Sequence, residues 1–188
     1  MSMKIEVEQK FPLRDAPSVE KWLMEQGATY EEPVTHSDYY FQHPCRDFAT
    51  TDEALRIRAI GDKFWITYKG PRLDKHTKTR RELELKLTDD ARVGEGFATL
   101  LDCLGFEHAA TVVKQRRRYL LMWRGREYAA DMDVVDELGD FIEIETRVDL
   151  ESEVDAARHD LTDLANQLGL TDPEPRNYLE LLQERVGP

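Results

Sequence analysis

Glu6-Val7-Glu8-Gln9-Lys10 is the stretch whose reading decides the fold. Ile5, Val7 and Phe11 around it give strand character. Successive side chains of a strand point to opposite faces, so Glu6, Glu8 and Lys10 share one face. Glutamates two apart have their bases about 7 Å apart at ~3.3 Å per residue. Two carboxylates at that separation can share a divalent cation, and a lysine beyond them can hold an anion. A lone acidic strand of this kind reads best as a solvated face. The rest of the chain repeats the arrangement, and that argues otherwise.

The pattern returns in Arg80-Arg81-Glu82-Leu83-Glu84-Leu85-Lys86-Leu87, with Arg80, Glu82, Glu84 and Lys86 on one face and the leucines on the other. Further charged rows with a period of two follow. Arg56 and Arg58 alternate with apolar residues in 55–60. Lys114, Arg116 and Arg118 do so in 112–123, Asp131 and Asp133 in 128–134, and Glu143 and Glu145 in 141–145. Strands are also predicted at 37–41 and 64–69, the latter ended by Gly70-Pro71. Between the strands lie two amphipathic helices. One opens at Pro17-Ser18, carries Val19, Trp22, Leu23 and Gln26, and closes at Gly27. The other covers 91–104 with Phe97, Leu100, Leu101 and Leu104, and closes at Gly105. The stretch from 43 to 52 reads as a polar loop, and that from Arg72 to Thr77 as a basic loop.

The order is therefore strand, helix, three strands, twice over, with an internal repeat at about 4–70 and 79–147. Some eight mostly antiparallel strands suit a closed barrel, an α+β fold in a single domain spanning 1–188. Helices fill 149–186: an acidic one from Asp149 to Leu168, a break at Pro173-Glu174-Pro175, and a short closing helix from Arg176 with Tyr178, Leu181 and Leu182 for packing.

A net charge of −12 argues against generic nucleic-acid or anionic-membrane binding. No apolar run approaches membrane-spanning length and no leader pattern stands at the start, so a cytoplasmic protein is expected. Cys45 and Cys103 are isolated and read as reduced, and the five histidines form no zinc motif. The acidic helix after Asp149 is a candidate homodimer contact, although a solvated face is the preferred reading.

If helices cover the apolar faces of the strands, the charged rows line the lumen. Such a lumen is costly when dry and reasonable when built for a ligand of both characters. Carboxylate clusters suit Mg²⁺ or Mn²⁺, while arginine and lysine rows suit phosphate oxygens. A polyphosphate chelating a divalent metal matches both. The alternative is a barrel of the opposite sense, with the charges coating the outside as cross-strand pairs. No P-loop or dinucleotide glycine fingerprint is present, so side chains must hold the phosphates.

Taken in order, Glu6-x-Glu8-x-Lys10, Leu55-Arg56-Ile57-Arg58, Tyr68-Lys69-Gly70-Pro71, Arg81/Glu82/Glu84, Lys114-x-Arg116, Asp133 and the segment from Leu138 to Glu145 resemble the CYTH superfamily, the triphosphate tunnel metalloenzymes. The closest likeness is to its class IV adenylyl cyclase branch, through Lys114-Gln115-Arg116, Leu138-Gly139-Asp140-Phe141 and Glu174-Pro175-Arg176-x-Tyr178. The resemblance implies an eight-stranded tunnel and a small-molecule triphosphate substrate. It assigns metal binding to Glu6, Glu8, Glu143 and Glu145, and triphosphate binding to Lys10, Arg56, Arg58, Lys69, Lys114 and Arg116. Glu82, Glu84 and Asp133 become further metal- or water-positioning acids in catalysis. Arg80, Lys86, Arg118 and Asp131 are candidate ion-pair partners on the same faces, Tyr178 a packing residue at the tunnel mouth, and Trp65 and Tyr68 core residues. ATP cyclisation is the leading activity. Hydrolysis of inorganic or thiamine triphosphate is the alternative, and a non-catalytic polyphosphate or nucleotide binder the second.

Overall fold

A computed structural model describes residues 4–73 and 78–186. Its strands are β1 (Lys4–Pro12), β2 (Thr29–Tyr30), β3 (Val34–Gln42), β4 (Ala54–Ile60), β5 (Lys63–Arg72), β6 (Arg80–Thr88), β7 (Glu107–Trp123), β8 (Arg126–Val135) and β9 (Gly139–Val148). Helix α1 (Ala16–Glu25) follows β1, α2 (Phe48–Thr51) follows β3, and α3 (Ala91–Cys103) follows β6. Helices α4 (Val154–Gln167) and α5 (Tyr178–Val186) end the chain. All strand pairings are antiparallel. The order β7-β3-β4-β5-β6-β1-β9-β8 is closed by pairing of β8 with β7, which makes an eight-stranded barrel with β2 as one extra strand. Each opening strand sits beside the other half's hairpins: β1 pairs with β9, and β6 with β5. No helix among the described residues is long and apolar enough to cross a membrane.

Both faces of the wall are buried, for different reasons. Outward-facing Ile5, Val7, Ile142 and Ile144 pack with Leu23 of α1 and Leu161 and Leu164 of α4 in one core. Phe41, Ile57 and Phe64 pack under Leu101 of α3 in a second. Tyr40, Val112, Val135, Phe141 and Tyr178 form a third, at one end of the barrel. The helices are started by aspartates that the sequence reading overlooked. Asp15 accepts from Ser18 N, and Asp90 from Arg92 N, each satisfying an orphan donor. Gly27 (φ 79°) and Gly105 (φ 87°) take the left-handed conformation that stops α1 and α3.

Several boundaries differ from expectation. The polar loop at 43–52 contains α2, capped by Asp47. β5 does not stop at Gly70-Pro71. It runs to Arg72 through an irregularity in its pairing with β6, which accommodates a proline that cannot donate. β7 begins at Glu107, and its 17 residues span both β3 and β2. In α3 the buried face is Gly94 and Leu101, whereas Leu100 and Leu104 are exposed. The helix expected from Asp149 starts with a 3-10 turn at Glu151–Glu153, and α5 starts at Tyr178 rather than Arg176. Residues 74–77 of the expected basic loop lie outside the described residues.

Candidate active site: the charged interior of the barrel

The inward faces enclose a cavity of about 130 Å³. Its surface carries nine basic side chains (Arg56, Arg58, Lys69, Lys78, Arg80, Lys114, Arg116, Arg118 and Arg147) against five carboxylates (Glu6, Glu8, Glu84, Glu143 and Glu145). An acidic protein thus presents a predominantly basic surface to its cavity.

The carboxylates divide into two groups by their partners. Oxygens of Glu6, Glu8 and Glu145 all lie within 4.8 Å of one another. Burial pushes the Glu6 carboxyl well above the ordinary value. Glu82, Glu8 and Glu145 add to this, and Lys69 at 2.5 Å opposes it. Burial raises Glu145 as well, aided by the charge of Asp131. Glu8 stays below the ordinary value despite burial, because Lys78 lies 2.9 Å away. Three carboxylates converge, two of them reluctant to ionise, and each meets a cation at its rim: Lys69 on Glu6, Lys78 on Glu8 and Arg118, at 2.9 Å, on Glu145. An oxygen-only donor set of this kind fits a hard divalent cation such as Mg²⁺ or Mn²⁺.

Glu143 and Asp133 stand apart from that cluster. Arg116 donates to Asp133 at 2.6 and 2.7 Å and to Glu143 at 2.5 Å, and Lys114 Nζ lies 2.8 Å from Asp133. Both carboxylates are held below the ordinary range against burial, Asp133 by Arg116 and Lys114, Glu143 by Lys114 and Arg116. Asp131 similarly receives the Arg118 fork at 2.6 and 2.7 Å. Asp38, fully buried and missed in the sequence, receives the Arg58 fork at 2.6 and 2.7 Å and Arg56 at 3.3 Å. Glu82 lies 2.9 Å from Lys69 and 3.0 Å from Arg147. These pairs fix the cations in place along the cavity wall, and Arg116, which also donates to Asp131, is held by three carboxylates. Glu84 differs: it accepts from the Thr67 hydroxyl at 3.1 Å and has no ion pair among the described residues.

Lys10 is buried, with its Nζ 4.0 Å from the Tyr178 ring centroid and without a hydrogen-bond partner among the described residues. Burial and the charge of Lys78 lower it to about 7. Lys86 is exposed and pairs with Asp89 outside the cavity. Arg80 lines the cavity and reaches Asp52. Trp65 joins none of the buried clusters. It shares the inward face of β5 with Thr67 and Lys69, whereas Tyr68 packs in the second core as expected. The sequence reading missed Lys78 and Arg147. Each continues an alternation already recognised, 78-80-82-84 and 143-145-147, so extending the period would have found both.

The fold and site define a class: an eight-stranded antiparallel barrel whose lumen is lined by cations and a carboxylate cluster. The CYTH domain model matches residues 4–178, and the chain belongs to the CYTH family. A Methanocaldococcus jannaschii protein named as a candidate adenylate cyclase is 34% identical, covering 94% of this chain and 98% of its own. The thiamine-triphosphatase of Macaca fascicularis is 31% identical over 95% of this chain and 90% of its own. Among solved structures, protein PH1819 of Pyrococcus horikoshii superposes with a TM-score of 0.83 at 39% identity, over 96% of this chain and 99% of that one.

Proposed function

We propose that this protein is a divalent-metal-dependent enzyme that converts ATP to cyclic AMP and pyrophosphate inside the barrel. The observation that carries the reading is the pairing of nine cavity-facing cations with the Glu6, Glu8 and Glu145 cluster. Guanidinium and ammonium groups match phosphate oxygens, and the cluster matches the metal that accompanies a triphosphate. Mg²⁺ or Mn²⁺ held by Glu6, Glu8 and Glu145 would neutralise phosphoryl oxygens and acidify a bound hydroxyl.

The remaining roles belong to side chains. Arg56, Arg58, Lys69, Lys114 and Arg116 hold the phosphates and stabilise charge developing on the pyrophosphate. The ribose 3′-oxygen bonds to the α-phosphorus. The bond from that phosphorus to the bridging oxygen breaks, and pyrophosphate leaves with the electron pair. Glu84, accepting only from Thr67 among the described residues, receives the hydroxyl proton. Asp133, Glu143 and Glu82 orient cations, a role their ion pairs favour over proton transfer. An ATP substrate places the work in the cytoplasm.

A second reading, hydrolysis of a triphosphate by water, is favoured by the 31% identity to a thiamine-triphosphatase over nearly the whole chain. The test is a product assay with Mg²⁺ or Mn²⁺ and, in parallel, ATP, tripolyphosphate and thiamine triphosphate. Cyclic AMP with equal pyrophosphate supports the cyclase. Orthophosphate without cyclic AMP replaces it with the hydrolase.

A further inference from the structure

Where β1 meets β6, one cross-strand ion pair is made and its neighbour is not. Lys78 N donates to the Glu8 carbonyl oxygen at 2.9 Å, and Lys78 Nζ lies 2.9 Å from the Glu8 carboxylate. Two residues along, Glu6 stands directly opposite Arg80. Opposed residues of an antiparallel pair share a face with Cα atoms about 5 Å apart, and opposite charges there attract. Both side chains line the cavity. Yet Glu6 takes Lys69 of β5 at 2.5 Å, and Arg80 reaches to Asp52, the residue that ends α2. That hold is loose. Arg80 donates to the Asp52 carbonyl oxygen at 3.3 Å, and its guanidinium lies 3.6 Å from the carboxylate. The forks on Arg58 and Arg118 close at 2.6 and 2.7 Å. Arg72, opposite Arg80 on β5, draws the same Asp52 carboxylate to 2.8 Å. The Arg80 side chain is 4% exposed and that of Asp52 33%, so the cation is buried while its counter-charge reaches solvent.

Resting on the metal assignment above, we propose that Asp52 is a positioning residue that draws Arg80 off Glu6 and so keeps the Glu6, Glu8 and Glu145 cluster open to a divalent cation. A buried cation that loses its counter-charge is costly and turns to the next carboxylate within reach. For Arg80 that carboxylate is Glu6, its partner in the register. A guanidinium settled on Glu6 occupies oxygens that the divalent cation needs and adds a like charge beside it. Asp52 acts on the cluster only through Arg80. It is suited to the place by its backbone as well: it sits at φ 57°, a left-handed conformation that aspartate and asparagine accept more readily than other side chains.

Mn²⁺ alone, titrated into metal-stripped full-length protein and followed by electron paramagnetic resonance of the free ion, tests this in a double-mutant cycle. Asp52→Asn keeps the backbone conformation, removes the charge and should weaken Mn²⁺ binding at least about fivefold. Arg80→Gln should change binding by less than about threefold in the wild type. In the Asp52→Asn protein the same change should strengthen it at least about fivefold. Two charges acting separately would give equal effects in both backgrounds, so the coupling reports the hand-over of Arg80 to Glu6. Equal effects overturn the proposal and leave the metal assignment intact. So does an Asp52→Asn protein that loses less than about fivefold. A loss that Arg80→Gln does not reverse also overturns it, and assigns the loss to a disturbed α2. Wild-type protein that binds no Mn²⁺ at millimolar ion overturns the metal assignment, and this proposal with it. Should Asp52→Asn not fold, Asp52→Gly, which also accepts φ 57°, takes its place in the cycle.

Discussion

His36 shows how the cationic interior governs a single residue. It is 5% exposed on β3, opposite Lys114. Burial drives its pKa down to about 2, and Arg58, Arg116 and Lys114 add to the effect, with Asp38 opposing it. In the unfolded chain the same imidazole takes its proton near 6.5. Between those values the unfolded state binds more protons, so this residue's contribution is full above 6.5 and is lost as pH falls toward 2. Denaturation curves from pH 7 to 4 should therefore show a shallower loss of stability in His36→Gln than in wild type; equal slopes would remove His36 from the account. Asp133 belongs to the same scale. Asp133→Asn leaves Lys114 and Arg116 buried with less counter-charge, and unfolding should show a loss of about 3–5 kcal/mol. Glu8→Gln should abolish metal-dependent turnover while circular dichroism stays that of a folded barrel. Full activity in that variant would sink the metal assignment.

At the scale of elements, the packing of α3 is decided by one missing side chain. Gly94 faces the ring of Phe64 on β5, and a Cβ built there would overlap that ring. The helix can approach the sheet only because position 94 carries no side chain. Gly94→Ala should cost about 1–3 kcal/mol by thermal melting, although alanine is the better helix former. Gly96, two residues on, has nothing within 4 Å, and Gly96→Ala should be neutral or stabilising. The contrast between the two separates close packing from helix propensity. The barrel strands carry a comparable asymmetry. Their apolar sides are closed by helices, and their charged sides close on one another through Asp38, Asp131, Asp133 and Glu82.

For the whole molecule, a cavity lined by nine cations implies linkage between an anionic ligand and stability. An anion that binds only the folded barrel adds about 2.7 kcal/mol at 100 times its dissociation constant. Tripolyphosphate with Mg²⁺ should raise the melting temperature of the wild type by several degrees and do so less in Glu8→Gln. No shift with either tripolyphosphate or ATP would count against an interior built for polyphosphate. The opposition between an overall charge of −12 and a basic cavity lining also makes the cavity an attractive target within a repulsive surface for an anion. Added salt should therefore change association rates modestly, because attraction and repulsion are screened together.

The sequence alone pointed to the barrel and determined which side chains share a face of its wall. A period of two is forced by strand geometry, so Glu6, Glu8 and Lys10, or Lys114, Arg116 and Arg118, had to share a face wherever the strands lay. Whether those faces met inside the barrel or coated its outside was decided by the structure, which buries them around the cavity. What one strand cannot state is which charge meets which across the lumen. Only the pairing of β1 with β9, which sets Glu8 opposite Glu145 and Lys10 opposite Glu143, brought Glu145 to Glu6 and Glu8. Closure of β8 on β7 set Asp133 beside Lys114, Arg116 and Tyr178. The physical reason is the range of the forces involved. Alternation is local and is written in neighbouring residues, whereas an ion pair spanning 17 or more positions exists only once the chain has folded.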